Sequence, residues 1–570
     1  MSTVEVSVLD VAELQDGQMK EVSFTEGGKV LVSRLGDKYY ATSAFCTHYG
    51  APLAKGVLTS DGRVVCPWHG ACFKLATGDI EDAPAPSSIH SFKAYVVNGK
   101  ICVAANVADT LKENKTRPPK LSTNGSESVG KGVVVVGGGS GAFQTIESLR
   151  EHGYKGPITV LSKEPYTPID RTRLSKALIT DPAKVEWLNA ADLKIKYGTT
   201  LRLGVEVTSI DFTKKEVIID GGKDSLGYDK VVLATGGIPR RLPVEGSHLE
   251  NVYTFRDIND SKKVDAAAKE GKRMVVIGSS FIGMELVAAV AKRKLASIVV
   301  IGMKGYPFEA ILGKEVGAGL QKVRYSHGTT PFSRFTYARI VQYHESQGVK
   351  FHMQSKVDKI VPQEGKPNLA GGVVVNGTTI PADFIIMGVG VAPATEFLKG
   401  TGIALEKDGG IKVDKYLRVQ NSPDKENVYA VGDIAVYPQI SGDFTRIEHW
   451  NVAGNHGRAV GKTIAGSPQP FVKIPVFWSA QGQQLRYCGV GHGYDDIVIK
   501  GDPGEMKFIA YYGKRGNVVA AASMQNDPVV SKASELLRLG LMPSLEELRD
   551  GKDLLSVDIS TAKTLKVVAH

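Results

Sequence analysis

Apolar and polar positions change rhythm along this chain. Over residues 1 to about 107 they alternate in short runs broken by glycine turns. KEVSFTEGGKVLVSRLGDKYYATSAF reads as strand, turn, strand, turn, strand. SFKAYVVNGKICVAA is a hairpin with Asn98 and Gly99 at its tip. The stretch DTLKENKTRPPKLSTNGSESVGK (109–131) then loses periodicity; its Pro-Pro pair and Ser/Gly/Asn cluster predict a linker. At 132 the run GVVVVGGGSGA opens a region, to about 445, where buried strands alternate with helices, as in parallel α/β sheets. From about 470 to 570, strands (KIPVFWSA, MKFIAYYG, NVVAAASM) mix with a helical tail, VVSKASELLRLGL.

A chain of 570 residues divides into several domains, since one core rarely grows past about 250–300 residues. With 42% apolar and 23% charged residues it reads as a globular protein in water. The net charge of +10 is spread among acids, with no basic stripe interleaved with aromatics, so a nucleic-acid partner is not expected. Five cysteines are too few for a disulfide scaffold. The opening MSTVEVSVLD has neither a signal-peptide pattern nor transit-peptide composition, and no run of about 18 apolar residues occurs. The expectation is a cytoplasmic protein without a transmembrane segment, with mitochondrial association left open.

Four residues stand at paired spacing. CTHYGAPL supplies Cys46 and His48; seventeen residues later CPWHGACF supplies Cys66 and His69. Two thiolates and two imidazoles on two tight loops can hold zinc or iron. One thiolate and one imidazole per loop suits a cluster in which cysteines bind one iron and histidines the other, and zinc is the alternative. Cys72 reads as a packed thiol.

Two glycine frames follow buried strands. In VVVVGGGSGAFQTIESLREHG, Gly137, Gly139 and Ala142 stand where a turn, a close approach to pyrophosphate and tight helix–strand packing are needed. Glu164, at the end of the next strand, is placed to accept from ribose hydroxyls. In MVVIGSSFIGMELVAAV the frame is Gly278, Ser280 and Gly283, with Glu285 following. Its next strand, SIVVIGMKG, ends without a carboxylate, and Lys304 is close enough to pair with a 2′-phosphate. NADPH, or use of both nicotinamide nucleotides, is expected.

The loop pair resembles a Rieske two-iron, two-sulfur domain. By that match Cys46 and Cys66 ligate one iron and His48 and His69 the other. Ala51 and Trp68 stand where high-potential Rieske domains carry a disulfide, which implies a lower potential. The tandem glycine frames resemble the two-dinucleotide flavoprotein reductases. YDKVVLATGGIPRRLPVEG, with Thr235 and Gly236, and ADFIIMGVGVAPATEFL look like their two interdomain crossings. NVYAVGDIAVY looks like the late FAD motif, with Asp433 toward the ribityl chain. TPIDRTRLSKAL looks like the segment beside the flavin; Arg171 and Lys176 match, and Thr172 replaces a proline. RIEHWNVA…PVFWS resembles the C-terminal strand whose Trp478 lies near the flavin ring. No cysteine occurs between 103 and 487, which excludes the disulfide-reducing branch and leaves the ferredoxin reductases and the Rieske-bearing, apoptosis-inducing-factor-like proteins. A sirohaem nitrite reductase would need four further cysteines, and only three remain in this chain after Cys46 and Cys66.

The resemblance implies a multidomain α/β fold: an all-β Rieske domain (1–107), a linker (108–131), two nested Rossmann-type domains and a C-terminal α+β domain (470–570). The FAD-binding domain would span 132–254 and 380–469, with the NAD(P)-binding domain at 255–379 between them. It further implies FAD, a 2Fe-2S cluster and NAD(P)H as substrate, with hydride passing to flavin and single electrons through the Rieske centre to an unknown acceptor. Lys176 and Trp478 would act at the flavin, and the linker would let the Rieske domain dock and release. A signalling or DNA-associated role is the alternative. The segment VRYSHGTTPFSRFTYARIVQ (323–342) interrupts an expected helix. Its twenty residues, or sixty nucleotides, start with a GT codon and end with glutamine, for which CAG is one codon. The segment is read as a retained intron, with a genuine loop as the alternative. Neither the acceptor nor the oligomeric state is legible.

Overall fold

Val133–Val136, four consecutive valines, is the middle strand of a five-stranded parallel sheet in a computed structural model of the chain. Residues 3–119, 121, 130–321 and 348–559 are described. The sequence segment 323–342 and most of the second half of the linker lie outside them. The sheet order is Thr199–Leu203, Ile158–Ser162, Val133–Val136, Lys230–Leu233, Val428–Ala430. Its strands are continuous apolar runs because both faces are covered.

A second parallel sheet repeats the plan: Val349–His352, Ser297–Ile301, Arg273–Ile277, Phe384–Met387, Val252–Tyr253. It is inserted into the first unit. The two crossings, Gly237–Pro239 and Val391–Pro393, pair antiparallel, with Gly237 opposite Pro393. The two first glycines are equivalent. Gly137 has φ +115° and a Cβ there would lie 2.2 Å from the Ala234 carbonyl; Gly278 has φ +112° and would meet the Gly388 carbonyl at 2.2 Å. Only glycine fits either place.

The N-terminal domain is a six-stranded antiparallel sheet capped by four short strands, Val57–Leu58, Arg63–Val65, Cys72–Lys74 and Ile80–Asp82. The start of the expected linker folds onto this domain. Thr116 bridges Ile89, the Arg117 amide donates to the Ser88 carbonyl at 3.0 Å, and the Arg117 guanidinium pairs with Asp79. The C-terminal domain is a five-stranded antiparallel sheet with the helix Val529–Leu539 packed on it.

The N-terminal domain is seated on the first parallel-sheet unit and on the C-terminal domain through a substantial seam. Val57, Val65 and Cys72 share one apolar core with Val476, Cys488 and the Val529–Leu539 helix. Around it Lys473 pairs with Asp82 at 2.8 Å, Lys462 with Glu81 at 2.7 Å, and Arg63 with Glu535 at 3.4 Å. Arg458 reaches furthest. It pairs with Glu147 and Glu151 and donates to the Ile80 carbonyl at 2.6 Å. Its helix, Trp450–Ile464, approaches Ser140–Glu151 closely because a Cβ at Gly457 would sit 2.2 Å from the Gly141 carbonyl. Among the described residues no helix is long and apolar enough to cross a membrane.

Candidate functional site

The two cluster loops are built alike. In the first, the Cys46 amide donates to the Ala51 carbonyl at 2.9 Å and the Gly50 amide to the Cys46 carbonyl at 3.0 Å. In the second, Cys66 donates to Ala71 at 2.7 Å and Gly70 to Cys66 at 3.3 Å. Gly50 and Gly70 take φ of +74° and +72°, which lets each loop close. The geometry sets cysteine against cysteine and histidine against histidine: His48 Nδ1 and His69 Nδ1 stand 2.9 Å apart. All four residues are buried.

The donor set fits a two-iron cluster. Burial pushes His48 down to about 3 and His69 well below its ordinary value, so both imidazoles are neutral and able to ligate. Burial and the facing Cys66 push the Cys46 thiol up, so metal binding must displace a proton there. All five cysteines are free thiols, and Ala51 and Trp68 leave no disulfide between the loops.

Aromatic rings enclose the histidine pair. Trp478 of the C-terminal domain lies 4.2 Å from the His69 ring and 5.6 Å from that of His48. Tyr49 stacks on His48 at 3.7 Å, and Trp187 stands at 6.1 Å. The Tyr49 hydroxyl donates to Asp170 Oδ2 at 2.6 Å. Asp170 Oδ1 accepts from the Thr172 amide and hydroxyl, at 3.2 and 2.6 Å. Thr172 thus supplies an N–H that a proline at this position would lack.

Behind Trp478 opens a cavity of about 1990 Å³. Of the sequence-predicted residues, Gly137, Gly139, Glu164, Arg171, Lys176, Thr235, Gly236, Glu285, Asp433 and Trp478 line it. Ala142 is buried in the helix behind the wall. Gly278 and Gly283 pack under the second turn, where Ser280 and Phe281 form the lining instead. Lys304 is exposed, outside the cavity wall.

Polar side chains in the wall are oriented in advance. Arg171 Nη2 donates to both Glu164 oxygens, at 2.8 and 2.7 Å. Arg256, which sequence reasoning missed, donates to Asp433 Oδ2 at 2.7 Å. Buried Glu285 joins three domains: it accepts from Ser175 at 2.5 Å, Lys176 at 3.3 Å and Ser479 at 2.6 Å. Lys176 also donates to the Thr172 carbonyl at 2.7 Å. Ser140 Oγ, His449 Nδ1 and Trp450 Nε1 border the cavity and are buried without a protein partner. Burial holds His449 at about 4, hence neutral. Unpaired polar atoms around so large a space suit a polar cofactor with phosphates and a ring.

The chain matches the Pyridine nucleotide-disulphide oxidoreductase family over residues 131–457, the Rieske [2Fe-2S] domain over 4–93 and the Reductase C-terminal domain over 476–556. It is 36% identical to human Apoptosis-inducing factor 3 over 543 residues, covering 94% of this chain and 84% of that protein. It is 31% identical to Rhodocoxin reductase of Rhodococcus erythropolis, over 72% of this chain and 91% of that protein. A solved ferredoxin reductase from Rhodopseudomonas palustris superposes with a TM-score of 0.64 at 26% identity, over 75% of this chain and 99% of its own. The reductase relatives favour redox chemistry over a signalling or DNA-associated role. The chain thus belongs to the pyridine nucleotide-disulphide oxidoreductase family, as an FAD-dependent NAD(P)H oxidoreductase of the ferredoxin-reductase kind that carries its own Rieske [2Fe-2S] domain.

Proposed function

We propose that Cys46 and Cys66 hold one iron and His48 and His69 the other, and that the cavity behind Trp478 seats FAD and the nicotinamide of NAD(P)H together. When bound, FAD supplies the conversion of a hydride into single electrons, and the cluster a one-electron store. The chain's own residues bind, orient and exclude water. Gly137 and Gly139 open the start of the Ser140–Glu151 helix, whose amide dipoles favour a pyrophosphate there. Glu164, fixed by Arg171, and Asp433, fixed by Arg256, present carboxylate oxygens to sugar hydroxyls. Glu285 and the Thr172 carbonyl hold the Lys176 ammonium at the wall, where a positive charge stabilises negative charge developing on a ring. On the nicotinamide side, Gly278 and Gly283 shape the turn. The second unit offers no carboxylate after its Ser297–Ile301 strand, which supports NADPH or both nucleotides, with Lys304 near that strand's end.

The observation that carries this reading is Trp478. It lines the cavity and packs 4.2 Å from the His69 ring, so a single indole separates the two halves of the site. The external acceptor is a one-electron carrier. The test is anaerobic addition of NADH or NADPH to reconstituted protein, followed by flavin absorbance and the Rieske electron paramagnetic resonance signal. Flavin bleaching followed by appearance of that signal is expected, with NADPH at least as effective as NADH. A flavin that bleaches while the cluster stays oxidised would sink the reading.

A further inference from the structure

The C-terminal sheet turns one cation toward the cluster loops that the flavin chemistry does not use. Arg486 is the direct cross-strand partner of Trp478, and opposed residues in an antiparallel pair share a face. Trp478 stands 4.2 Å from the His69 ring. Beside it the Ser531 hydroxyl donates to the Cys66 carbonyl at 2.9 Å, so this face is pressed against the second loop. Arg486 is only 4% exposed. Its Nη1 donates to Gln484 Oε1 at 3.2 Å and its Nη2 faces Asp527 at 3.5 Å, while Nε is buried without a partner. Burial weighs against the charge, whereas Asp527 and the Cys66 sulfur favour it. A buried guanidinium with an unmet donor is under-compensated and gains from negative charge nearby. One electron added to the two-iron site places one more negative charge there, without any bond forming or breaking at Arg486. A fixed cation in a weakly screening interior stabilises that added charge.

We infer that Arg486 raises the reduction potential of the Rieske site while the N-terminal domain is seated on the C-terminal sheet. The reductase half thereby sets how readily the site accepts the electrons that NAD(P)H supplies. The inference rests on the cluster assignment above, and Arg486 is a positioning charge rather than a catalytic residue.

The test is a redox titration of the full-length, cluster- and flavin-loaded protein. The Rieske midpoint is read by electron paramagnetic resonance and the flavin midpoint in the same sample serves as reference. For Arg486→Gln the equilibrium constant for Rieske reduction should fall at least tenfold, about 59 mV for one electron. Arg486→Lys should recover most of the shift, and Asp527→Asn should move the midpoint upward. A Gln variant with an intact Rieske spectrum and an unmoved midpoint overturns the inference. So does a Lys variant as low as Gln. Should Arg486→Gln fail to fold, Asp527→Asn decides: an upward shift supports the inference and no shift overturns it. Wild-type protein without any Rieske spectrum overturns the cluster assignment and this inference together.

Discussion

The hydroxyl of Tyr49, whose ring stacks on His48, donates to the carboxylate of Asp170 across the seam between two domains. Asp170 is buried and is itself held by Thr172, whose carbonyl accepts from Lys176. One chain of hydrogen bonds thus runs from a cluster loop to the flavin-side lysine. Tyr49→Phe removes its first link, and a bond to a charged acceptor on a partly exposed tyrosine is worth about 1 kcal/mol. We expect stopped-flow traces in which flavin bleaching by NADPH is unchanged and cluster reduction slows about threefold to tenfold. Equal slowing of both phases would show that the bond supports the flavin rather than the docking.

The equivalent glycines allow the two nucleotide sites to be separated. In Gly137→Ala the new methyl meets the Ala234 carbonyl, and in Gly278→Ala the Gly388 carbonyl. The first variant should purify without flavin colour. The second should keep its flavin and show NAD(P)H affinity weakened at least tenfold by titration. Colourless Gly278→Ala protein would contradict the assignment of the two units.

Glu147 makes stability depend on pH. Burial first, and then Glu151, raise its proton affinity well above the ordinary carboxylate range, against the opposing pull of Arg458. A folded-state pKa above the unfolded one means that the folded protein binds more proton. Stability is then greatest below the unfolded value of about 4.3 and declines as pH rises toward the folded one. For a single proton the slope is at most about 1.4 kcal/mol per pH unit. Thermal unfolding should show Glu147→Gln flattening the decline that sets in as pH rises above about 4.3. Parallel curves for variant and wild type would remove Glu147 as its source.

Thiol labelling should single out one cysteine. Cys46, Cys66, Cys72 and Cys488 are buried, and burial pushes Cys72 and Cys488 up to about 12. Only Cys102 is partly open. Alkylation of native protein followed by mass spectrometry should find one modified site, and five after denaturation. Modified Cys72 in native protein would show that the apolar seam opens.

The features legible in the sequence are local ones. Cys46, His48, Cys66 and His69 announce themselves because ligand spacing within a tight loop is a short-range property. Gly137 and Gly278 do so because a turn between strand and helix needs glycine at fixed offsets. What stayed hidden is made by residues far apart in the chain: Arg256 with Asp433, Tyr49 with Asp170, and Glu285 with Ser175 and Ser479. Arg486 reads in sequence as one of many basic residues, and only strand pairing turns it inward. Lys304 shows the converse, since its place near a strand end does not fix where its side chain points. One further signal was available. Gly454, Gly457 and Gly461 recur at helical spacing, and a helix with such a stripe packs close to its neighbour.

The paired crossings bear on how the chain folds. Val231 lies beside Val428 in the first sheet, so closing that sheet directly would mean ordering a very long loop. Once Gly237–Pro239 has zipped to Val391–Pro393, the inserted domain is tied off, and the loop still to be closed shrinks to a short arm before Gly237 and the segment from Pro393 to Val428. Early assembly of the inserted domain therefore lowers the entropic barrier for its host. Chain connectivity makes the inserted nucleotide unit an early organiser of the flavin unit.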